Sequence, residues 1–154
     1  MKTLKVKKLH PDAILPKYQT AGAACFDLHA LEPGMSVYGR HCVVPGGTSV
    51  FGTGLAFEVP EGHVMLLYSR SGHGFKNDVR MANCVGVIDS DYRGELRVKL
   101  TCDRPFGESG GLIVANGDRI AQGMVLPVEQ WAMEEVTELG DTARGEGGYG
   151  STGA

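Results

Sequence analysis

Several clusters of polar residues lie at predicted turns of this chain, and the first of them could activate water. In Gly86–Gly94 an apolar stretch runs into Asp89 and Asp91 before a tight turn. A carboxylate at the end of an apolar strand is held in place, and a positioned carboxylate can orient a water molecule and remove its proton. The same residues also fit a polar hairpin in which Asp91 bonds its own turn backbone. The segment is therefore a candidate general-base site or a structural turn.

The second cluster, Tyr68–Gly72, has the residue types that bind anions. Arg70 can grip a phosphate through two parallel hydrogen bonds, and the hydroxyls of Ser69 and Ser71 stand on either side of it. The same four-residue pattern is also common in surface turns. Taken alone, it predicts either a phosphate cradle or a solvated loop.

A third cluster combines a charged pair with an amide on one predicted strand. Asp118 and Arg119 fit either a turn or a surface ion pair. Gln122 falls on the strand face of Ile120 and Met124, where an apolar residue is expected. A buried amide needs hydrogen-bond partners, so Gln122 is a candidate for a site at this strand.

The C-terminal segment Gly140–Ala154 differs in composition from the rest of the chain. Six of its positions are glycine, and Tyr149 is its one large apolar residue. Such a segment buries too little surface to offset the entropy of ordering it, which predicts a disordered tail. Its glycines could instead let backbone N–H groups wrap a phosphate beside Arg144, Ser151 and Thr152. An aromatic ring on a mobile arm can also stack on a base.

Composition and periodicity predict the all-β framework that must position these clusters. Glycine supplies 23 of the 154 residues and proline 7, well above their average combined share of about 12%. Both are poor helix formers, and a hydrophobic fraction of 42% argues against disorder. In Glu95–Cys102 apolar and polar residues alternate strictly, as in a strand with one buried face. Many short strands of this kind indicate a sandwich, barrel or jelly roll.

The remaining element signals are weaker but evenly spaced. One helical turn is expected at Ser71–Lys76. Clusters of glycine, proline and polar residues separate the predicted strands, as turns do. These clusters are Glu32–Gly34, Pro45–Gly47, Pro60–Gly62 and Glu108–Gly111. The predicted strands are Leu4–Leu9, Phe26–Ala30, Met35–Val44, Thr48–Val59, His63–Tyr68, Gly117–Pro127 and Val128–Val136.

Charge and cysteine usage narrow the class of partner. The formal net charge of −3 disfavours a nucleic-acid polymer, although a few local cations can hold a single nucleotide. No apolar stretch is long enough to span a bilayer, and Met1–His10 has no apolar leader region. The four cysteines form no close-spaced pair, which favours free thiols in a reducing cytosol over a zinc site. They stand at Cys25, Cys42, Cys84 and Cys102.

Five segments, taken in order, resemble the five motifs of the trimeric dUTPase family. The resemblance runs from about Ala21 to Gly153, and the third and fifth motifs carry it most specifically. The matching segments are Ala24–Leu28 with Asp27, Arg70–Gly72, Gly86–Gly94, Gly117–Gln122 and the glycine-rich C-terminal arm.

This resemblance implies a fold, an assembly and a reaction. The expected fold is an all-β jelly roll, or β-clip type barrel, over residues 1–139, with a flexible arm at 140–154 that closes over an active site. The family is a cytoplasmic homotrimer whose copies share active sites. It hydrolyses dUTP to dUMP and pyrophosphate with Mg²⁺ on the triphosphate, which limits uracil incorporation into DNA and supplies dUMP for dTTP synthesis. No membrane partner is expected.

The resemblance also implies a role for each matching residue. Asp89 would be the catalytic base, Ser71 would bond the oxygen between the α and β phosphates, and Tyr92 would exclude a ribose. Asp27 would lie near the metal through waters, with no direct protein ligand to Mg²⁺. Tyr149 would stack on uracil, while Gln122 would help hold the water or the phosphates. The expected substrate-binding residues are Arg70, Ser71, Gly72, Asn83, Gly86, Val87, Ile88, Tyr92, Gln122, Arg144, Tyr149, Gly150, Ser151 and Thr152.

Three departures from the family pattern and two rival functions remain. Tyr149 stands where Phe is commoner, Ser69 where Pro often precedes the arginine, and Cys25 where many members have Gly; these changes affect affinity more than chemistry. His73 fits either a surface histidine or a residue near phosphate. A dCTP deaminase shares the fold but uses a glutamate base and lacks this arm, whereas this chain offers Asp89. A catalytically silent nucleotide sensor would not need every reacting group.

Overall fold

The computed structural model describes residues 2–31 and 41–148 and shows an all-β chain with one short helix. This confirms the predicted jelly-roll class. The strands are β1 Lys5–Lys8, β2 Phe26–His29, β3 His41–Val43, β4 Thr48–Gly52, β5 Leu55–Glu58, β6 His63–Tyr68, β7 Val79–Met81, β8 Val85–Ile88, β9 Arg97–Cys102, β10 Leu112–Val114 and β11 Arg119–Pro127. The helix, α1, spans Ser71–Asn77 between β6 and β7.

Two larger antiparallel sheets carry the fold. The first has the strand order β2-β11-β6-β8, and the second has the order β4-β9-β7. Two further pairs, β1 with β5 and β3 with β10, complete the strand pairing of the described residues. Neighbours within each sheet come from distant parts of the sequence, so segments far apart in the chain are brought side by side.

The inner faces of the two larger sheets share one hydrophobic core. Leu28 and Leu67 from the first sheet and Phe51 and Val98 from the second are all almost completely buried in the same cluster. In β9 the alternation predicted from the sequence is confirmed, because Val98, Leu100 and Cys102 point inward while Arg97 and Lys99 remain exposed. Burial of this apolar surface is the main stabilising contribution to the fold.

The predicted strand Thr48–Val59 is two strands, and its interruption has a clear cause. Gly54 has a φ of +64°, and a Cβ there would lie 3.0 Å from the Cβ of Ala13. The preceding residue, Thr53, is buried and donates from Oγ1 to the carbonyl oxygen of Leu96 at 2.7 Å. The chain therefore turns here, and β5 leaves the sheet of β4 to pair with β1.

Other predictions differ from the structure at segments that pattern alone could not resolve. The three-residue strands β7 and β10 were missed because they are too short to show a period. The predicted strand Val128–Val136 is wrong for the single chain: β11 ends at Pro127, and this segment pairs with no strand among the described residues. Of Met35–Val44, the structure describes only the end, where His41–Val43 forms β3. The predicted turn Glu32–Gly34 lies outside the described residues.

Helix α1 begins where β6 ends and is too short to cross a membrane, and no other described segment forms a membrane-spanning helix. Arg70 occupies its N-cap position in an extended conformation, and Asp78 ends it in the left-handed region with φ +53°. The predicted helical turn Ser71–Lys76 is therefore confirmed, with one further residue. This position places Ser71 in the first turn, directly beside the end of β6.

The buried face of β9 gives a direct stability test. Leu100→Ala should lower the free energy of unfolding by about 2–5 kcal/mol, because it removes buried methyl groups and leaves a cavity. Lys99→Ala, one residue earlier on the exposed face, is the matched control and should change the stability by about 0.5 kcal/mol or less. Chemical denaturation at a fixed protein concentration measures both. Equal losses for the two variants would contradict the assigned strand faces.

Candidate functional site

A cleft of about 510 Å³ lies where β6 passes into α1, and it contains the anion-binding cluster predicted from the sequence. Arg70, Ser71 and Gln122 line it together with the exposed ring of Phe75. The expected binding residue Gly72 follows in the first turn of α1, where it is exposed and has open space around it. The fold thus brings the second and third clusters of the sequence analysis together at one surface.

Asp27 lies behind this cleft and fixes the position of Arg70. Its carboxylate is about one-tenth exposed and accepts from Arg70 Nε at 3.2 Å through Oδ1 and from Arg119 Nη1 at 3.3 Å through Oδ2. A carboxylate so little exposed is tolerated because two cations neutralise it. The pairing also fixes the direction of both guanidinium groups, which leaves the Nη2 nitrogen of Arg70 outside these bonds.

Arg119 and His73 lie next to the cleft and support Arg70, and sequence analysis assigned neither of them a defined role. The carbonyl oxygen of Arg119 accepts from Arg70 Nη1 at 3.2 Å and lies 2.7 Å from His73 Nε2. Since a carbonyl oxygen only accepts, this His73 nitrogen carries a proton. The bond ties α1 to the start of β11. The available signal was Asp27 itself, because an acidic residue in an apolar strand requires a cation nearby.

A β-bulge in β11 turns Gln122 toward the cleft. Arg119 pairs with His29 and Ala121 with Leu28, so Ile120 is an extra residue in the register. Both Ile120 and Ala121 are buried as a result, while Gln122 pairs with Asp27 on one side and with Tyr68 on the other. Paired residues share a sheet face, so Gln122 lies on the face of Asp27 and Tyr68. The extra residue at the bulge interrupts the simple alternation, and the expected common face of Gln122 and Ile120 is wrong. Gln122 Nε2 donates to Ser69 O at 2.9 Å.

His29 lies behind the arginine pair and is held neutral by its surroundings. Burial is the main cause that lowers the pKa of His29, and the positive charges of Arg119, Lys17 and Arg70 lower it further, while Asp27 acts in the opposite direction. Its Nδ1 is buried without a hydrogen-bond partner in the structure. Protonation would therefore bury an uncompensated charge beside two arginines. For Cys25, burial raises the pKa of the thiol, and Asp27 adds to this.

A second cleft, of about 340 Å³, lies at the β8–β9 loop, the segment between Ile88 and Arg97. Ile88, Tyr92 and Glu95 contribute to its lining. Asp89 is exposed at the end of β8, and its carbonyl oxygen accepts from Tyr92 N at 3.3 Å, which closes the turn. The predicted turn is thus present, with the Tyr92 ring beside the cleft, but β8 and β9 pair with different sheets, so the expected two-stranded hairpin does not form.

A tight three-residue turn precedes β8. Val85 N donates to Asn83 O at 2.6 Å across Cys84, which has a φ of +60°. This is a γ-turn with a positive central φ, a rare and strained conformation. It leaves the Asn83 side chain exposed next to the strand that contains Gly86 and Val87. Gly86 is buried, and a Cβ there would lie 3.1 Å from the side chain of Leu67.

The two clefts lie at opposite ends of one strand pair. In the antiparallel register of β6 with β8, Tyr68 faces Val85 and Met65 faces Ile88. Continued by one residue, this register puts Asp89 level with Val64, whereas Arg70 is six residues further along. Six extended residues span about 20 Å. Within one chain, Asp89 and Arg70 therefore do not reach a common reacting atom.

The expected arm residues make no contribution to either cleft in the described part of the chain. Arg144 is exposed, and its Nε donates to Gly147 O at 2.8 Å within its own turn. The other expected arm contacts lie outside the described residues; they are Tyr149, Gly150, Ser151 and Thr152. Upstream of the turn, Trp131, Met133 and Leu139 are exposed by 75%, 92% and 87%.

In residues 2–31 and 41–148, no three His, Cys, Asp or Glu side chains come close enough together to hold a metal ion. All four cysteines are free. Asp27, the carboxylate expected near a metal, already accepts from an arginine through each of its oxygens.

Comparison with known proteins finds one family. A family model described as dUTPase matches residues 11–153. The deoxyuridine 5'-triphosphate nucleotidohydrolase of Nautilia profundicola is 43% identical over 150 residues, which cover 97% of this chain and 98% of that protein. The protein of the same name from Helicobacter hepaticus is also 43% identical, over 97% of this chain and 88% of its own length.

Solved structures show the same similarity. The dUTPase of Staphylococcus bacteriophage 80alpha with dUPNHPP has a TM-score of 0.84 and 27% identity, with full coverage of both chains. A mutant dUTPase of Staphylococcus aureus phage phi11 has a TM-score of 0.74 at 24% identity and covers 89% of this chain and 98% of its own. That structure is described as revealing the coordination of a structural Mg(II) ion.

The lowered pKa of His29 has a consequence for stability. Below about pH 6.5 the unfolded chain binds a proton at His29 that the folded chain does not, so the free energy of unfolding should fall as the pH drops from 7 toward 5. His29→Gln should flatten this dependence. Denaturation curves across this pH range, at one protein concentration, measure the effect. Parallel curves for His29→Gln and the unsubstituted chain would contradict the burial argument.

Proposed function

The chain belongs to the dUTPase family and is a dUTP diphosphatase, and from this premise we propose that Asp89 activates the attacking water in active sites shared between copies of the chain. The substrate is dUTP, and the products are dUMP and pyrophosphate. The β8–β9 loop of one copy, with Asp89, would meet the Arg70 cleft of another. The two clefts described above would thus be the two halves of one site.

The separation of Asp89 from Arg70 is the observation that carries this proposal. A base and the cations that stabilise the leaving group must both lie within a few ångströms of the same phosphorus. Their placement at opposite ends of the β6–β8 pair, about 20 Å apart along the strand, is incompatible with a site built from one chain. A second copy can supply the missing cation, because its Arg70 can approach the β8–β9 loop of the first copy.

The segment after β11 supports association between copies. A contiguous run that exposes Trp131, Met133 and Leu139 buries almost nothing within one chain. Large exposed apolar groups in a soluble enzyme mark a surface that another molecule covers. We take that molecule to be another copy, in a homotrimer whose residues 140–154 form an arm beyond the jelly-roll body of residues 1–139. Cyclic symmetry would then make all three sites equivalent.

The proposed reaction is one in-line displacement at the α-phosphorus. Asp89 takes a proton from water while the water oxygen bonds to that phosphorus. The bond from phosphorus to the oxygen that bridges the α and β phosphates breaks, and pyrophosphate leaves. Arg70, Ser71 and Arg144 surround the developing negative charge, and Gln122 orients the water or the phosphate chain. Phosphoryl transfer needs little more from the protein than positioning and charge.

Mg²⁺ enters this scheme as part of the substrate. Bound to the triphosphate, it supplies positive charge that stabilises the leaving pyrophosphate. Mg²⁺ keeps several of its waters in sites of this kind, and Asp27 would hydrogen-bond those waters without giving up its two arginines.

Substrate selection would be divided between two parts of the chain: β8 with the β8–β9 loop, and the C-terminal arm. Main-chain groups of Gly86, Val87 and Ile88, with the side chain of Asn83, would bond uracil in a pocket too narrow for the methyl group of thymine. Tyr92 would pack under the deoxyribose and clash with a 2′-hydroxyl. From the arm, Tyr149 would stack on the base, and the γ-phosphate would be bound by Gly150, Ser151 and Thr152.

The biological role follows from the products. Removal of dUTP limits uracil incorporation into DNA, and dUMP is the precursor of dTTP. The cytoplasm is the compartment we assign, because four free cysteines suit a reducing environment.

Asp89→Asn tests the base. The amide keeps the size and hydrogen-bonding capacity of the carboxylate but cannot accept the proton, so turnover of dUTP should fall by at least about 100-fold. Affinity for the analogue dUpNHpp should change less than threefold. Pyrophosphate release and calorimetric titration measure the two quantities. Turnover within a few-fold of the unsubstituted enzyme would rule out the assigned base.

Mixing two inactive variants tests the shared site. Asp89→Asn and Arg70→Ala subunits, refolded together in equal amounts, should regain about one quarter of the full activity, because one interface in four then combines an intact Asp89 with an intact Arg70. The control replaces the Arg70→Ala partner with the double variant, which leaves no complete site. Size-exclusion chromatography verifies that each mixture assembles. Mixed trimers without recovered activity would show that each site lies within one chain.

A further inference from the structure

Tyr92 is held by a chain of contacts that ends at a carboxylate, Glu95, outside the expected set of site residues. The Tyr92 hydroxyl donates to the carbonyl oxygen of Glu95 at 3.0 Å. Its ring lies directly across Gly94, where an added Cβ would come within 2.6 Å of the ring carbon Cζ. The position of the ring therefore depends on the position of the Glu95 main chain.

The Glu95 side chain fixes that main chain to the neighbouring sheet. Its Oε1 accepts from Gly54 N at 3.0 Å, and its Oε2 accepts from Arg97 Nε at 3.0 Å. The carboxylate is only one-quarter exposed. It fits against Gly52, where an added Cβ would lie 2.6 Å from Oε1. A glycine at position 52 and a backbone donor at position 54 together form a slot for this carboxylate.

The two hydrogen bonds of the Glu95 carboxylate contribute unequally to its position. A hydrogen bond from a backbone N–H to a carboxylate is stronger than one between neutral groups. Arg97 is exposed and forms a surface ion pair with the same carboxylate, which contributes little to its position. The bond from Gly54 N is thus the contact that fixes the Glu95 side chain, and it joins the β8–β9 loop to the turn between β4 and β5.

We infer that Glu95 is a positioning residue for sugar selection: its carboxylate, seated against Gly52 and Gly54, holds the carbonyl oxygen that fixes the Tyr92 ring. This inference rests on the proposed role of Tyr92 as the group that excludes a ribose. To exclude a sugar with one added hydroxyl, the Tyr92 ring must be held rigidly, because a small movement of the ring would admit the larger sugar. Glu95 provides that rigidity without touching the substrate.

The readout is the ratio of kcat/KM for dUTP to kcat/KM for UTP. Glu95→Ala should lower this ratio about tenfold, the scale of one lost hydrogen bond. Glu95→Gln should keep it within twofold, since the amide oxygen still accepts from Gly54 N. Tyr92→Phe, which removes the hydroxyl but keeps the ring, should lower the ratio by a similar factor to Glu95→Ala. Gly52→Ala should lower it as well, because its Cβ displaces the carboxylate.

Thr53→Val is the matched control for loss of stability. It removes the buried bond from Thr53 Oγ1 to Leu96 O, one residue from Glu95, but leaves the Tyr92 contacts in place. It should lower the melting temperature and leave the dUTP to UTP ratio unchanged. If Glu95→Ala changes the ratio no more than Thr53→Val does, the inference is overturned. Should Glu95→Ala fail to fold, Gly52→Ala and Tyr92→Phe decide the question by the same comparison.

Tyr92→Ala separates this inference from the proposed function. If it leaves the ratio unchanged, the sugar gate itself is wrong, and Glu95 has nothing to position. If Tyr92→Ala collapses the ratio while Glu95→Ala, Gly52→Ala and Tyr92→Phe all preserve it, the gate stands and the role of Glu95 is refuted. A fall in all four variants, with rescue by Glu95→Gln, supports both.

Discussion

The antiparallel pairing of β6 with β8 is the constraint on which the functional architecture depends. Because the two strands run in opposite directions, the chain leaves β6 toward Arg70 at one end of the pair and leaves β8 toward Asp89 at the other. No loop movement of ordinary size brings these ends together without breaking the sheet. Under the proposed function, the surface that recognises the nucleotide base and the surface that binds the phosphates would therefore face different neighbouring copies, and association would be part of catalysis.

The buried carboxylate of Asp27 has a comparable role on a smaller scale. It pairs with two guanidinium groups and thereby fixes the position of Arg70 at the cleft between β6 and α1. Its charge also reaches Cys25, whose thiol pKa it helps to raise, and His29, whose lowered pKa it partly restores. One acidic residue in an apolar strand thus organises the electrostatics of a whole sheet edge. Replacing it would leave two cations facing each other beside a neutral histidine.

Local patterns in the sequence predicted much of the fold, and they failed where a distant partner decided the outcome. The alternation in β9 and the strand His63–Tyr68 could be predicted because their side-chain pattern is set by one buried face. The break at Gly54 could not, since it depends on contacts with Ala13 and Leu96. At the site, the residues that act through side-chain type were identifiable. Glu95 acts through a contact with a backbone N–H and leaves no such signal, and for Arg119 the only signal was the acidic residue Asp27 in an apolar strand.

The γ-turn at Cys84 precedes β8, the strand that would bind uracil under the proposed function. A non-glycine residue at φ +60° stores conformational energy of order 1–3 kcal/mol, and glycine would adopt the same shape at no such cost. Glycine, however, would also let the backbone relax outward when a bulkier base enters. A stiffer turn in front of β8 would resist that movement and so raise the free-energy cost of admitting one added methyl group. The strain at Cys84 would then contribute to the selection of uracil over thymine.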